Sequence, residues 1–205
     1  MNEIPTLKKK EMEFMGKTFS LLFIVQIIIA ILSVLKSSFF AELSPIFGFA
    51  IRVIALITVV FYYIYLTLIK DQNPRYATAG TFGMISIGTD FIIGFIPLSN
   101  AFVIFLASLV VIAFSGIAEY NEYLSHAEYF SDINDDLKSK WENLCSIYLV
   151  TLCITIACAL LITLMPRIAT AGTIISLVVL LIIRILKLVY LHDSGAYIKN
   201  YGKPL

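Results

Sequence analysis

Charge is scarce in this chain. Asp, Glu, Lys and Arg make up 14% of its 205 residues, where a soluble domain carries about a quarter. The net charge is +1, so no basic surplus exists to meet nucleic-acid phosphates. Histidine occurs twice, as His126 and His192, and tryptophan once. The three cysteines, Cys145, Cys153 and Cys158, all fall in one apolar run and form no CxxC pair. That excludes a secreted disulfide framework and thiol-redox chemistry of the CxxC kind. HExxH, histidine boxes and phosphate-cradling glycine loops are missing, so no complete catalytic set is present. His192-Asp193-Ser194 names the members of a triad, but three consecutive residues cannot converge on one point. Asp132-x-Asn134-x-Asp136 opens like a calcium loop, yet its sixth position is Leu137 and its twelfth Asn143, where glycine and glutamate are required. No catalytic residue, cofactor or metal is therefore expected. Soluble enzyme, disordered chain and nucleic-acid binder are all set aside.

What the chain has is apolar sequence. Sixty per cent of it is hydrophobic and the mean hydropathy is +0.92. At roughly 20 residues per span there is room for about six. Six runs are found, at 18–36, 46–69, 81–97, 100–120, 143–165 and 172–191. The third is the shortest and most polar, and a five-span chain with that run re-entrant is the rival reading. The lysine-bearing N-terminus resembles the charged region of a signal peptide. The apolar run after it is long and has no small-residue cleavage site, so it reads as a retained first span.

Basic residues set the orientation. With the N-terminus inside, inner segments hold Lys8, Lys9, Lys10, Lys17, Lys70, Arg75, Lys138, Lys140, Lys199 and Lys203, and outer ones only Lys36 and Arg167. Tyrosine and tryptophan prefer the membrane–water boundary. Tyr62, Tyr63, Tyr65, Tyr120, Tyr123, Trp141, Tyr190, Tyr197 and Tyr201 all fall at the inner ends, while Phe39, Phe40, Phe47 and Phe49 lie on the outer side. Both signals require an even number of spans. The expected fold is an all-α, polytopic bundle of about six transmembrane helices. It forms one domain over 1–205 with both termini cytoplasmic, and the expected location is a cell membrane of bacterial cytoplasmic type.

The longest polar stretch, 119–143, is acidic. It continues the fourth helix inward, turns near Ser131–Asn134 and starts the fifth, with Asp135 and Asp136 in the helix's first turn. It reads as a solvated cytoplasmic helical hairpin, or as a docking surface for a partner. Pro74-Arg75-Tyr76-Ala77-Thr78-Ala79-Gly80-Thr81 recurs as Pro166-Arg167-Ile168-Ala169-Thr170-Ala171-Gly172-Thr173, with seven of eight positions identical. Each copy leads into a span, on opposite sides of the membrane. An inverted repeat of three helices plus three produces this pattern, and so does a recurring helix-entry sequence. A third reading takes three like-oriented hairpins.

Charges within spans need a reason, because each costs several kcal/mol unless paired or wetted. Gly83, Ser86, Asp90 and Gly94 share one helical face of small residues, with Thr89 beside Asp90. Asp90 and Arg52 each lie about 9–10 Å from the outer ends of their spans. They are the favoured ion pair, either fixing helix register or forming a solute or proton site with Ser86 and Thr89. A second cluster joins Arg184, Glu119 and Lys187, where Arg184 reaches Glu119 or both cations snorkel to the interface. The leading expectation is a membrane-embedded binding or transport component for a small solute or ion. The alternative is a regulatory or scaffold protein that recognises a membrane-protein partner, or a second copy of itself, through its helices or acidic loop. The expected surroundings are the lipid bilayer, with no nucleic acid bound.

Overall fold

The computed structural model describes residues 6–35, 45–95, 101–162 and 164–201. Lys36, Phe39, Phe40 and Lys203, and the side chains of Lys8 and Lys9, lie outside the described residues. Within those bounds the chain is all helix, with no strand. The six helices are α1 (Thr6–Leu35), α2 (Pro45–Leu68), α3 (Pro74–Phe95), α4 (Ala101–Phe130), α5 (Asp135–Leu161) and α6 (Pro166–Asn200).

Three of these helices begin on proline. Proline suits that position because its fixed φ is already helical and its missing N–H would have had no partner there. The turns before α3 and α5 are closed by asparagine. Asn73 Oδ1 accepts from the Arg75 amide at 2.8 Å, and Asn134 Oδ1 from the Leu137 amide at 2.9 Å. Asn134 has extended backbone, with φ −160°, and acts as the N-cap. The Asp132-x-Asn134-x-Asp136 spacing is thus part of a helix start.

Five of the six helices, all but α3, are long and apolar enough to cross a membrane. Their outward surface is apolar. Ile54, Ile57, Leu106, Val150, Ile174 and Leu181 are exposed on successive helices, a surface that water does not tolerate and lipid does. Serine and threonine hydroxyls on these helices bond back into their own turns, as Thr58 does to the Ile54 carbonyl and Thr155 to that of Thr151. These hydroxyls are then not offered unpaired to hydrocarbon. These are the properties of an integral membrane protein. α3 is the exception. Its Gly, Ser, Thr and Asp content keeps its hydropathy low, yet it is an unbroken helix of 22 residues, about 33 Å long at 1.5 Å per residue.

The helices sort into two compact units, Met1–Val59 with Leu186–Leu205, and Val60–Ile185. In the first, α1 meets the last turns of α6 through glycine. A Cβ on Gly16 would lie 3.2 Å from Ile198, and one on Gly195 would lie 3.0 Å from Ser20 Oγ. Met15, Phe19, Leu22 and Leu191 fill that contact and are fully buried.

In the second unit α3 packs on α4 and α4 on α5. α3 also lies against the end of α2. A Cβ on Gly80 would come within 2.6 Å of the Tyr63 carbonyl oxygen and 2.9 Å of the Thr67 nitrogen. In the second copy of the repeated octapeptide, Gly172 faces Cys158 of α5 at similarly close range. Both copies therefore place proline at the first helical position and glycine where the helix presses on its predecessor.

Candidate functional site

α4 is 30 residues long, about 45 Å, against a hydrocarbon core of about 30 Å. It is thus about ten residues longer than a crossing needs. The acidic stretch begins at its C-terminal end, and that end is not wholly exposed. Asp132, Asp135, Asp136 and Glu142 are exposed, but Glu122, Ser125 and His126 have no exposed surface. The apolar layer continues beneath them in Ala127, Phe130, Leu137, Trp141 and Leu144.

Glu122 and His126 stand one helical turn apart, so both project from the same face of α4. His126 Nε2 lies 3.5 Å from Glu122 Oε1. The Tyr62 hydroxyl, from the end of α2, donates to the same Glu122 oxygen in a short hydrogen bond. The Tyr76 hydroxyl, from the first turn of α3, lies 2.8 Å from His126 Nδ1. Burial, and after it the nearby Glu122 carboxylate, raises the Tyr76 phenol well above its ordinary range. The phenol therefore keeps its proton, and its hydroxyl can donate to Nδ1 of a neutral imidazole or accept from Nδ1–H of a charged one. The result is a chain of four groups from three helices, Tyr76–His126–Glu122–Tyr62.

Aromatic rings wall this chain. Trp141 of α5 lies 4.5 Å from the His126 ring, centroid to centroid, and stacks on Tyr123 at 6.1 Å. Tyr148 meets Tyr123 edge-on at 5.5 Å. Next to these rings a polar clamp closes the α2–α3 turn onto α4. Arg75 Nε donates to Glu128 Oε1 at 2.8 Å, and Asn73 Nδ2 donates to Glu128 Oε2 at 2.7 Å. The site is thus a protonatable pair in a buried aromatic setting, beside a half-exposed ion pair. No group of three or more His, Cys, Asp or Glu side chains suited to a metal ion occurs among the described residues.

The residues expected from sequence lie elsewhere. Asp90 is exposed on α3. Ser86 is buried and donates to the Val111 carbonyl of α4 at 3.2 Å, while Thr89 donates to its own helix at the Ile85 carbonyl. Arg52 is exposed on the part of α2 that belongs to the first unit. Arg184 is exposed, Glu119 is half-buried, and Lys187 is buried with 3% of its surface exposed. Glu122 and His126 were not singled out by sequence. Their i, i+4 spacing on a helix that stays buried beyond the apolar run was the available signal. Comparison with protein-family models, with curated proteins and with solved structures gives no match.

Proposed function

We propose that this chain is a membrane-embedded binding or transport component for a small solute or ion, and that the Glu122–His126 pair takes up and releases a proton as it works. The supporting observation is a carboxylate and an imidazole, 3.5 Å apart and both fully buried. Ionisable groups are expensive in such a place and are commonly kept there for proton or ion traffic. Imidazole is also the side chain whose ordinary proton exchange falls near neutral pH, and a neighbouring carboxylate favours its charged form. The Arg75–Glu128 pair occupies the aqueous end of this chain of groups. Asp90, with Ser86 and Thr89, is the proposed solute-facing group, and Arg52 its counter-ion. Arg184, Glu119 and Lys187 serve as a secondary charge cluster.

The role is non-catalytic in this reading. The chain spans a cell membrane of bacterial cytoplasmic type six times, with α3 as the third span and both termini cytoplasmic. Placement of Gly80 and Gly172 at like positions against the preceding helix supports a three-plus-three inverted repeat. The second reading, recognition of a membrane partner, rests on the exposed acids Asp132, Asp135, Asp136 and Glu142. The test is proteoliposomes of the full chain with an imposed pH gradient, internal pH being followed by a trapped dye while small solutes are added by class. The proposed role requires a solute-dependent pH change that Glu122→Gln removes. Identical traces for wild type, variant and empty vesicles across every class would reject it.

A further inference from the structure

The first unit holds a cleft of about 410 Å³ between α1 and the end of α6, lined by Ser20, Phe23, Ile24, His192, Ala196, Lys199 and Asn200. That volume falls in the range of small-molecule sites. We propose that this cleft binds the headgroup of an anionic phospholipid.

Three observations carry the proposal. First, the titratable lining is cationic or neutral, never acidic. Lys199 is exposed, and His192 lies at the wall with its ring 5.4 Å from that of Phe23. The nearby carboxylates are outside the lining. Glu13 is held by Lys17 at 2.9 Å, and Asp193 Oδ1 faces His192 Nδ1 at 3.5 Å. Second, the cleft changes character along α1. Below Ser20, one face carries Ile24, Ile28 and Ile31, all exposed, at the spacing of a single helical stripe. A polar end that opens onto an apolar track fits a headgroup joined to acyl chains. A soluble anion would have no use for the track. Third, the polar end lies where α6 becomes hydrophilic, in the sequence His192 to Asn200. Basic pockets between helices at such a boundary hold anionic headgroups.

The chemistry is direct. The Lys199 ammonium meets the phosphate charge, and the Asn200 amide and His192 ring supply hydrogen-bond donors. Phe23 and Ile24 pack against the glycerol and the first methylenes. The lining of this cleft shares no residue with the Glu122–His126 site, so its failure and that of the proposed function are separable.

The test uses the full chain in nanodiscs of mixed phosphatidylcholine and phosphatidylglycerol, with retained lipid counted by native mass spectrometry. Wild type is expected to retain phosphatidylglycerol in preference. Lys199→Gln should lower that retention about fivefold, the equivalent of one lysine charge at a membrane surface. Ala196→Trp fills the cleft with the charge intact and should lower it as well. Lys70→Gln removes an exposed lysine outside the cleft and should leave it unchanged. Equal retention of the two lipids by wild type would overturn the proposal. So would an equal loss with Lys70→Gln, or displacement of the lipid by inorganic phosphate.

Discussion

Glu122 and His126 interact at 3.5 Å with no exposed surface on either. With both groups ionised, Coulomb's law at an effective dielectric constant of about 20 gives roughly 5 kcal/mol of gross attraction at that distance. Desolvation of both groups offsets much of this, and removing one partner leaves the other buried. Glu122→Gln keeps an oxygen to accept from Tyr62, and His126→Gln keeps one to accept from Tyr76, so each variant removes mainly the charge pairing. Each should cost about 3 kcal/mol, or roughly 6–12 °C in melting temperature for a chain of this size. The double variant should cost little more than either single one, a coupling of about 2–3 kcal/mol. Helix content followed by circular dichroism in detergent on heating measures all four corners of the cycle. Additive losses, within about 0.5 kcal/mol, would show that the two groups do not act as a pair.

Other outcomes follow from the same geometry. Gly80→Val drives a side chain into the backbone of Tyr63 and Thr67 and should lower thermal stability by about 1–3 kcal/mol. Gly88→Ala meets nothing within 4 Å and should be neutral or add up to about 1 kcal/mol in the same melt, from helix propensity. The raised Tyr76 phenol favours the folded state fully below its ordinary range near 10 and progressively less above it. Stability should therefore fall as pH rises past about 10, and Tyr76→Phe should flatten that fall by up to about 1.4 kcal/mol per pH unit. Asn134→Ala removes the α5 cap and should cost about 1 kcal/mol, seen as early local hydrogen exchange at Leu137. Single reversals at Arg52 or Asp90 should weaken solute-dependent activity. The combined Arg52→Asp/Asp90→Arg chain should recover it, and absence of any recovery would remove that pair from the account.

The helices were legible because their signals are local. Apolar runs give the spans, and proline at 74 and 166 gives two of the starts. The acidic pair at 135–136, placed after a turn at 131–134, gives the hairpin. The low hydropathy of α3 was equally plain, since four glycines and an aspartate sit within Pro74–Phe95. The polar chain was not legible, because its bonds join residues 60 and 50 positions apart, Tyr62 to Glu122 and Tyr76 to His126. Nothing in the neighbourhood of Tyr62 announces a carboxylate partner, and its place in a tyrosine cluster reads naturally as an interfacial belt. Composition misled in the same way at 119–143, where a net acidic stretch conceals a buried face of Glu122, Ser125 and His126. Asp90 shows the converse. Gly83 and Ser86 on its face are buried as small-residue spacing suggests, while Asp90 itself, one turn further, is exposed.

Proton exchange by the Glu122–His126 pair can be followed directly, because the molecule carries its own reporter for it. Trp141 is the single tryptophan, and its ring lies 4.5 Å from that of His126. A protonated imidazole at that distance quenches indole emission. Titrating the fluorescence of the full chain between pH 4 and 9 should therefore give a step that His126→Gln abolishes and Glu122→Gln moves to lower pH, because the carboxylate favours the imidazolium. Emission that is flat with pH, or a step indifferent to both substitutions, would contradict the account.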